Sequence, residues 1–276
     1  MSEQELRDEI MRLRKRLAEL TPPLEVLLKR RGFKLYKKEP SEDLLLPEDP
    51  GLADSFYEMM KRYSFRLFLR DVIQKREGFT RASITRYATE GVTGGYLEYL
   101  MVAGLVAEKS GIFRLKKPRK SFGETLEWFL AQILRREFGA GVAWGVKFRR
   151  PRVGGDYDLI AKMDSSILYM EVKSSPPKQI YQNEIAAFLD RVEDLAPDLA
   201  LFFMDTELRM KDKIVPMFEE ALAARGGSHL STLPVKRLER ELFEIGGKVF
   251  IINSKPSIEA NIERILGYWL RRMKTV

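Results

Sequence analysis

Hydrophobic residues recur along the chain with two periods, and the period distinguishes predicted helices from predicted strands. Within residues 3–20, leucine and isoleucine recur at alternating spacings of four and three, which predicts a helix with a coiled-coil seam. The seam consists of Leu6, Ile10, Leu13, Leu17 and Leu20. Two interpretations stay open: the helix packs on its own domain, or it contacts a second copy of the chain.

Residues 56–120 show helical periodicity and then a hairpin pattern. Apolar positions predict helices near residues 65–73, 80–87 and 93–103, followed by two short strands at 105–108 and 112–115 around a tight turn. Three helices and a β-ribbon resemble the winged helix, a fold that holds DNA. The alternative is a small helical domain that contacts proteins and whose charges are solvated.

The third predicted helix of this segment carries no Arg, Lys, Asn or Gln, the residue types that usually read base edges. The basic residues lie elsewhere, so we expect contacts with phosphates, which give affinity without a choice of sequence. The candidate nucleic-acid-binding residues are Arg81, Arg86, Lys109, Arg114, Lys116 and Lys117.

From residue 121 onward, predicted helices and strands alternate. The helices span 122–138, 178–194, 211–224 and 258–273, and the strands span 142–149, 156–163, 167–174, 199–204 and 249–252. This alternation predicts an α/β fold with a mixed central sheet flanked by helices, preceded by a mostly helical winged-helix-like domain. The predicted segments are an N-terminal helical or coiled-coil segment (1–40), an acidic linker (41–55), a winged-helix-like nucleic-acid-binding domain (56–120) and an α/β domain (121–276).

Charge is distributed unevenly along the chain, and its sign indicates the kind of partner. Residues 41–60 hold six acidic residues and no Lys or Arg, which favours a linker in the first part of that stretch. Residues 61–120 hold fourteen Lys or Arg against five Asp or Glu, and the whole chain has a formal net charge of +8. Such an excess suits a polyanionic partner, either nucleic acid or an anionic membrane surface.

The chain has no cysteine and a single histidine, His229, which we expect to be a structural loop residue. Disulfides and thiolate metal sites are therefore excluded, and a Ser-His-Asp triad has little room. Chemistry must be run by carboxylates, lysines and hydroxyls, which favours a hard ion such as Mg²⁺. No apolar run approaches the ~18 residues of a membrane span, and we expect a cytoplasmic protein.

Two segments carry the candidate chemistry, Asp156-Tyr157-Asp158 and Glu171-Val172-Lys173. Side chains alternate between the faces of a strand, so the acids of the first segment share a face, as do Glu171 and Lys173. If the strands are antiparallel neighbours, carboxylates and an ammonium group converge. Because close carboxylates repel each other, a divalent cation would relieve the conflict. On the preceding helix, Glu127 projects to the edge of the apolar face and is a further candidate.

A helix carrying Glu127, then Asp158, then Glu171-x-Lys173 resembles the PD-(D/E)XK nuclease superfamily of restriction enzymes, Holliday-junction resolvases and repair nucleases. The resemblance covers residues 122–205 and implies a restriction-endonuclease-like αβββαβ core, which makes the α/β domain (121–276) a nuclease domain. It implies that Asp158, Glu171 and the carbonyl of Val172 bind the metal, that Lys173 is the lysine of the motif, and that Glu127 is the acid of the first helix.

This sequence departs from the name-giving motif, because Tyr157 stands where that motif has proline. Asp156 is an extra acid whose role the pattern does not settle. Members often add a residue from the helix after the lysine, for which Lys178, Gln179 and Gln182 are candidates, with Gln182 ranked first.

The expected function is a Mg²⁺-dependent DNA endonuclease, in which Mn²⁺ substitutes for Mg²⁺. Cutting both strands of a duplex usually needs two sites, so we expect a homodimer, with residues 3–20 as the place to look. The alternatives are an RNA-directed or ligand-gated nuclease, and a catalytically silent DNA-binding protein that uses the nuclease fold as a scaffold. A membrane-surface role is the weakest, because no amphipathic basic helix carries aromatic anchors.

Overall fold

The alternating periods of the sequence are realised as a sheet with helices on both faces. The computed structural model describes residues 3–75, 77–84, 86–149, 152–226 and 232–273, so His229 lies outside the described residues. The first elements are α1 (Glu3–Leu20), α2 (Leu24–Arg30), β1 (Leu35–Lys37), α3 (Ala53–Met60), α4 (Tyr63–Gln74), α5 (Glu90–Val102), β2 (Val106–Lys109) and β3 (Ile112–Leu115).

The remaining elements build the sheet and its covering helices. They are α6 (Gly123–Phe138), β4 (Gly141–Phe148), β5 (Tyr157–Met163), β6 (Ser166–Lys173), α7 (Gln182–Leu195), β7 (Leu199–Met204), α8 (Ile214–Ala223), β8 (Val235–Glu239), β9 (Leu242–Ile245), β10 (Val249–Asn253) and α9 (Ile258–Met273). None of the helices in the described ranges is both long enough and apolar enough to cross a bilayer.

Eight of the described strands form one sheet in the order β1-β4-β5-β6-β7-β10-β9-β8. Strands β6, β7 and β10 run parallel, whereas the pairs on either side of them are antiparallel. Every residue of β7 is buried, as expected for a central parallel strand covered on both faces. The predicted α/β fold with a mixed central sheet flanked by helices is confirmed.

The two faces of the sheet belong to different hydrophobic clusters. Helices α6 and α9 pack on one face with Leu159 and Met170, and helices α7 and α8 pack on the other face with Ile160 and Tyr169. Because side chains alternate along a strand, Glu171 shares its face with Tyr169 and is directed toward α7. This alternation allows α7 to add residues to a site at the end of β6.

The N-terminal fifty residues differ from the simple helix and linker that the sequence predicts. Strand β1 pairs with β4 and so extends the sheet. The acidic segment 41–52 packs along α6, because the N–H of Asp43 donates to Glu124 Oε2 (2.8 Å) and the N–H of Leu45 donates to Thr125 Oγ1 (2.9 Å). Leu45 is buried, so apolar burial overrides the linker-like composition.

The coiled-coil seam of α1 remains exposed in the single chain. The exposed fraction rises from 44% at Leu6 to 76% at Leu20. The structure therefore does not support the first of the two interpretations, in which this face of the helix packs on its own domain.

Helices α3, α4 and α5 and the hairpin β2–β3 form a helical module, defined here as residues 53–115. The second predicted helix, over residues 80–87, is only a single 3₁₀ turn at Arg81–Ile84. The core of the module continues into the sheet domain: the rings of Phe56 and Trp128 lie 5.9 Å apart, and those of Tyr57 and Phe129 lie 5.7 Å apart. The predicted boundary at residue 120 therefore does not separate two hydrophobic cores.

A buried ion cluster joins the module to the parallel strands. Asp205 follows β7, and its Oδ1 lies 2.9 Å from Nε and Nη2 of Arg66, while Arg70 pairs with Oδ2. The hydroxyl of Ser254, after β10, donates to Asp205 Oδ1 (2.7 Å), and the N–H of Asp205 donates to the carbonyl of Lys173 (2.8 Å). One aspartate thus connects α4 with the ends of three strands.

Burial opposes the ionisation of Asp205, but Arg66 and Arg70 outweigh it and hold the pKa of this carboxyl below its ordinary value. The stabilisation is therefore complete above the unfolded-state pKa of about 4. It is lost as the pH falls through the lowered folded-state pKa.

Replacing Asp205 by alanine leaves Arg66 buried without a counter-charge. We expect the free energy of unfolding to fall by about 3–5 kcal/mol at neutral pH, measured by urea denaturation. The difference from the wild type should narrow in acid, where Asp205 of the wild type is itself protonated.

The control is Asp54→Ala, which removes an ion pair with Arg136 in which Asp54 is 84% exposed. Its expected cost is less than about 1 kcal/mol. Equal losses for the two variants would contradict a stabilising role of the buried cluster.

Candidate active site

The antiparallel ladder between β5 and β6 ends at the pair Leu159–Met170, and the predicted site lies just beyond that end. There Asp158 Oδ2 accepts a hydrogen bond from the N–H of Val172 (2.7 Å). The N–H and C=O of one strand residue lie on the same side of the strand, so the carbonyl of Val172 also faces β5. Asp158 and the carbonyl of Val172, two of the metal ligands that the resemblance implies, are therefore neighbours.

Glu171 is the most buried group of the site, with 3% of its surface exposed. Its Oε1 lies 3.0 Å from Lys173 Nζ. Its Oε2 accepts from Nη1 of Arg191 (3.0 Å) and from the hydroxyl of Tyr169. Lys173 also pairs with Glu184 Oε2 (2.9 Å), so a chain of alternating charges runs from α7 across the end of β6.

Glu127 reaches the site from α6, where its carboxylate accepts from the N–H of Gly145 on β4. Gly145 has a φ of +54°, and an added Cβ would collide with the ring of Pro40. Only glycine therefore fits at this position, whose N–H binds Glu127. Burial, followed by repulsion from Glu124 and Glu171, raises the pKa of Glu127 to about 8. Near neutral pH this carboxyl is therefore largely protonated.

The pKa values of the strand residues Asp158 and Lys173 are shifted as well. Burial and then repulsion from Glu171 and Glu127 raise the pKa of Asp158 well above its ordinary value. Burial opposes the charge of Lys173, but Glu171 and Glu184 outweigh it and raise the pKa of its ammonium group. Lys173 is therefore a cation at neutral pH. The site holds more carboxylates than its own cations neutralise.

The oxygen donors fit a hard divalent cation. Among the described residues there is no ready-made cage of three or more acidic, histidine or cysteine side chains. Mg²⁺ does not require one, because it keeps several waters and takes one or two carboxylates. Asp158 and Glu171 would supply these and the carbonyl of Val172 a third ligand, and the added positive charge would relieve their repulsion.

Two accessory candidates have other partners. Asp156 is half exposed, and its Oδ2 pairs with Lys147 of β4 (2.9 Å). Gln182 does not join the site, because its carboxamide donates to the carbonyl of Met217 on α8 (2.8 Å). The sequence ranking of Gln182 is wrong because the first turn of α7 directs this residue toward α8, whereas Glu184, two positions on, reaches Lys173.

Helix α7 contributes two residues that sequence reasoning missed, Glu184 and Arg191. They are seven positions apart and therefore share a helical stripe with Phe188, which packs on the sheet. Two charged residues on the same helical stripe as an apolar Phe188 were the signal in the sequence that could have identified them. Arg191 also needs Gly155, whose φ is +97°, because an added Cβ there would lie 2.5 Å from its guanidinium group.

The six candidate nucleic-acid-binding residues do not converge on this site. Arg114 Nε donates to the carbonyl of Glu77 (2.9 Å), and Lys117 pairs with Glu48 (2.9 Å). Arg86 lies over the ring of Tyr87 and lines the cavity beside the end of β6. Arg81 packs against α5 at Gly94, while Lys109 and Lys116 are exposed at and just after the hairpin β2–β3.

Comparisons with known proteins address the fold. No family model and no curated protein matches the chain. Protein VC1899 from Vibrio cholerae is similar in structure, with a TM-score of 0.53 and 12% identity over 90% of this chain and 62% of that chain. Can2 from Sulfobacillus thermosulfidooxidans, in complex with cyclic tetra-adenylate, aligns with a TM-score of 0.48 and 14% identity over 90% of this chain and 60% of that chain.

This chain thus spans about three-fifths of the length of either structure. The similarity to VC1899 shows a shared fold. The alignment with Can2 is too weak to support an inference.

Replacing Asp158 by asparagine should have two effects of opposite sign. The amide can still accept from Val172 N–H and no longer carries a charge that burial disfavours, so the metal-free protein should unfold at a temperature a few degrees higher. The stabilisation that Mg²⁺ gives the wild type, about 2.7 kcal/mol at one hundred times its dissociation constant, should be lost. Thermal unfolding with EDTA and with increasing Mg²⁺ measures both.

The control is Asp212→Asn, at an exposed position outside the site. It should change neither the metal-free stability nor the response to Mg²⁺. An unchanged Mg²⁺ response in Asp158→Asn would exclude Asp158 as a ligand.

Proposed function

We propose that the protein is a metal-dependent nuclease that hydrolyses phosphodiester bonds in DNA, and that it belongs to the PD-(D/E)XK superfamily. The observation that carries this proposal is the convergence of Asp158, Glu171 and Lys173 at the end of β6, where burial and repulsion from Glu171 raise the pKa of Asp158. A catalytically silent scaffold has no need of such an arrangement.

Each residue has a definite part in this proposal. Asp158, Glu171 and the carbonyl of Val172 would hold Mg²⁺, which would act as a Lewis acid toward the phosphate and lower the pKa of water. Lys173 would neutralise charge that develops on the phosphate and orient the attacking water. Glu184 fixes the position of Lys173, and Arg191 fixes that of Glu171. Glu127 adds a carboxyl group from α6 at the edge of this site.

The helical module acts as a winged-helix-like support for DNA. Support comes from the order of its elements, α4, a 3₁₀ turn, α5 and the hairpin β2–β3, and from the excess of fourteen basic over five acidic residues in 61–120. Arg86, Lys109 and Lys116 are exposed and suited to phosphate contacts.

A second candidate function is a nuclease that a ligand switches on. The observation that favours it is that both oxygens of Glu171 are already engaged, Oε1 by Lys173 and Oε2 by Arg191 and Tyr169. A metal ion at Glu171 would therefore compete with two cations that already neutralise this carboxylate. RNA in place of DNA is the remaining alternative, and the same cleavage assay distinguishes these possibilities.

The direct test is incubation of supercoiled plasmid and of a folded RNA with the protein and Mg²⁺, Mn²⁺ or EDTA. We expect metal-dependent nicking or linearisation of the plasmid. Lys173→Ala should slow cleavage by about 10²–10⁴-fold, because the charge that faces the phosphate is removed. Glu171→Ala should abolish it.

Lys162→Ala is the matched control, because Lys162 lies on β5 at the opposite end of the same strand pair. It should cleave at the rate of the wild type. Cleavage of RNA alone would contradict the DNA specificity. Cleavage that resists EDTA, or that survives in both site variants, would contradict the nuclease site.

We also propose that the chain forms a homodimer through α1. Its apolar stripe is exposed over its whole length, and exposed contiguous apolar patches mark interaction surfaces. Leu13→Glu together with Leu17→Glu places charges in the seam and should convert the dimer to a monomer, as measured by sedimentation equilibrium. The Mg²⁺-dependent rise in unfolding temperature should persist, because the site lies within one chain.

The control is Glu9→Gln, which leaves the seam intact and should remain dimeric. A monomeric wild type at micromolar concentration would contradict the dimer.

A further inference from the structure

A cavity of about 900 Å³ lies between the helical module and the carboxyl ends of β6, β7 and β10. Its sheet side includes Ser174 and Ser175, which directly follow Lys173, and Lys255, which follows β10. Its module side includes Tyr63 and Gln74 of α4. Ligands of open α/β sheets bind outside the carboxyl ends of parallel strands, so both the position and the size suit a binding site.

The charges that line this cavity call for an anion. Lys178 and Lys255 are exposed, and within the described ranges no carboxylate forms an ion pair with either. Arg70 lines the cavity as well, and its buried Nε–H has no hydrogen-bond partner among the described residues. Three carboxylates line the cavity; Asp205 is already neutralised by two arginines, which leaves Asp71 and Glu207. Besides Arg70, the lining holds four cations that outnumber these two carboxylates: Arg86, Lys120, Lys178 and Lys255. The excess charge on the lining is therefore positive.

Aromatic side chains alternate with these cations. Tyr63, Tyr87 and Phe122 line the cavity, and Tyr87 is 41% exposed. The guanidinium group of Arg86 lies 5.2 Å from the centre of the Tyr87 ring. A basic groove with aromatic faces is the surface on which proteins bind single-stranded nucleic acid, because phosphates meet the cations and bases stack on the rings.

We propose that this cavity binds an unpaired stretch of the substrate strand, adjoining the phosphate that is cut. The proposal rests on the proposed nuclease function and adds the form of the substrate. The cavity is bounded by the module on one side and by the sheet on the other, and its volume suits a few nucleotides of one strand. Bases can stack on Tyr63 or Tyr87 only when they are free of a complementary strand.

Binding of a short fluorescently labelled single-stranded oligodeoxynucleotide in EDTA tests this without any cleavage. The Lys178→Ala, Lys255→Ala double variant should bind about tenfold more weakly than the wild type. The slope of log K against log salt should fall by about 1.4, since each phosphate contact with a single strand contributes about 0.7. Tyr87→Leu should weaken binding and leave the slope unchanged, because stacking releases no counterions.

The Lys29→Ala, Lys236→Ala double variant is the control, because it removes the same charge from exposed positions of α2 and β8. It should bind like the wild type. Equal weakening by both double variants would show diffuse attraction and overturn the proposal, as would tighter binding of the matching duplex. An excess of a short unlabelled oligonucleotide should inhibit plasmid cleavage, whereas acceleration would identify a free effector and also overturn it.

These outcomes separate the two claims. Plasmid cleavage with unchanged single-strand binding in the Lys178 and Lys255 variant retains the nuclease and rejects the cavity. Weakened single-strand binding in that variant, with no cleavage under any metal, retains the cavity and rejects the nuclease.

Discussion

The buried ion pair between Arg66 and Asp205 attaches the helical module to the carboxyl ends of the parallel strands. A buried ion pair is costly to desolvate, and it is tolerated here because both charged groups have further hydrogen-bond partners. Arg70 and Ser254 donate to the carboxylate of Asp205, and Arg66 donates to the carbonyl of Met60. The same aspartate binds the backbone of Lys173 through its own N–H. The position of the helical module, the width of the cavity and the end of β6 are therefore determined by one cluster.

Beyond that cluster, the fold brings together groups that repel each other. Glu127, Asp158 and Glu171 approach one another, and burial together with this repulsion raises the pKa of each of the first two. Of these three acids only Glu171 is paired directly with Lys173 and Arg191, and it shares Lys173 with Glu184. Carboxyl groups whose pKa values are shifted by burial and by neighbouring acids are typical of functional sites, and a divalent cation would relieve the repulsion here.

The strand residues of the site were predictable because side chains alternate between the two faces of a strand, which leaves only two possible directions for each residue. Once β5 and β6 are antiparallel neighbours, Asp158 and the pair Glu171 and Lys173 must meet. The α/β fold was predictable for the same reason, since its strands and helices have distinct periods. A helix offers more directions, which is why the sequence favours Gln182 and does not single out Glu184 or Arg191.

Other features depend on contacts distant in sequence. Nothing in residues 35–37 distinguishes a sheet strand from a loop until Phe148 of β4 is beside Leu35. The acidic composition of residues 41–52 predicts a linker, but the burial of Leu45 and two backbone hydrogen bonds to α6 attach the segment to the body. Asp205 follows a run of six buried residues, and an acid in that position was the one available sign of the ion cluster.

The most direct test of the central claim is anomalous X-ray diffraction from crystals of the wild-type protein soaked in Mn²⁺. We expect a peak between the carboxylates of Asp158 and Glu171 and close to the carbonyl of Val172. A fully occupied peak elsewhere, with none between these two carboxylates, would contradict a metal site at the end of β6.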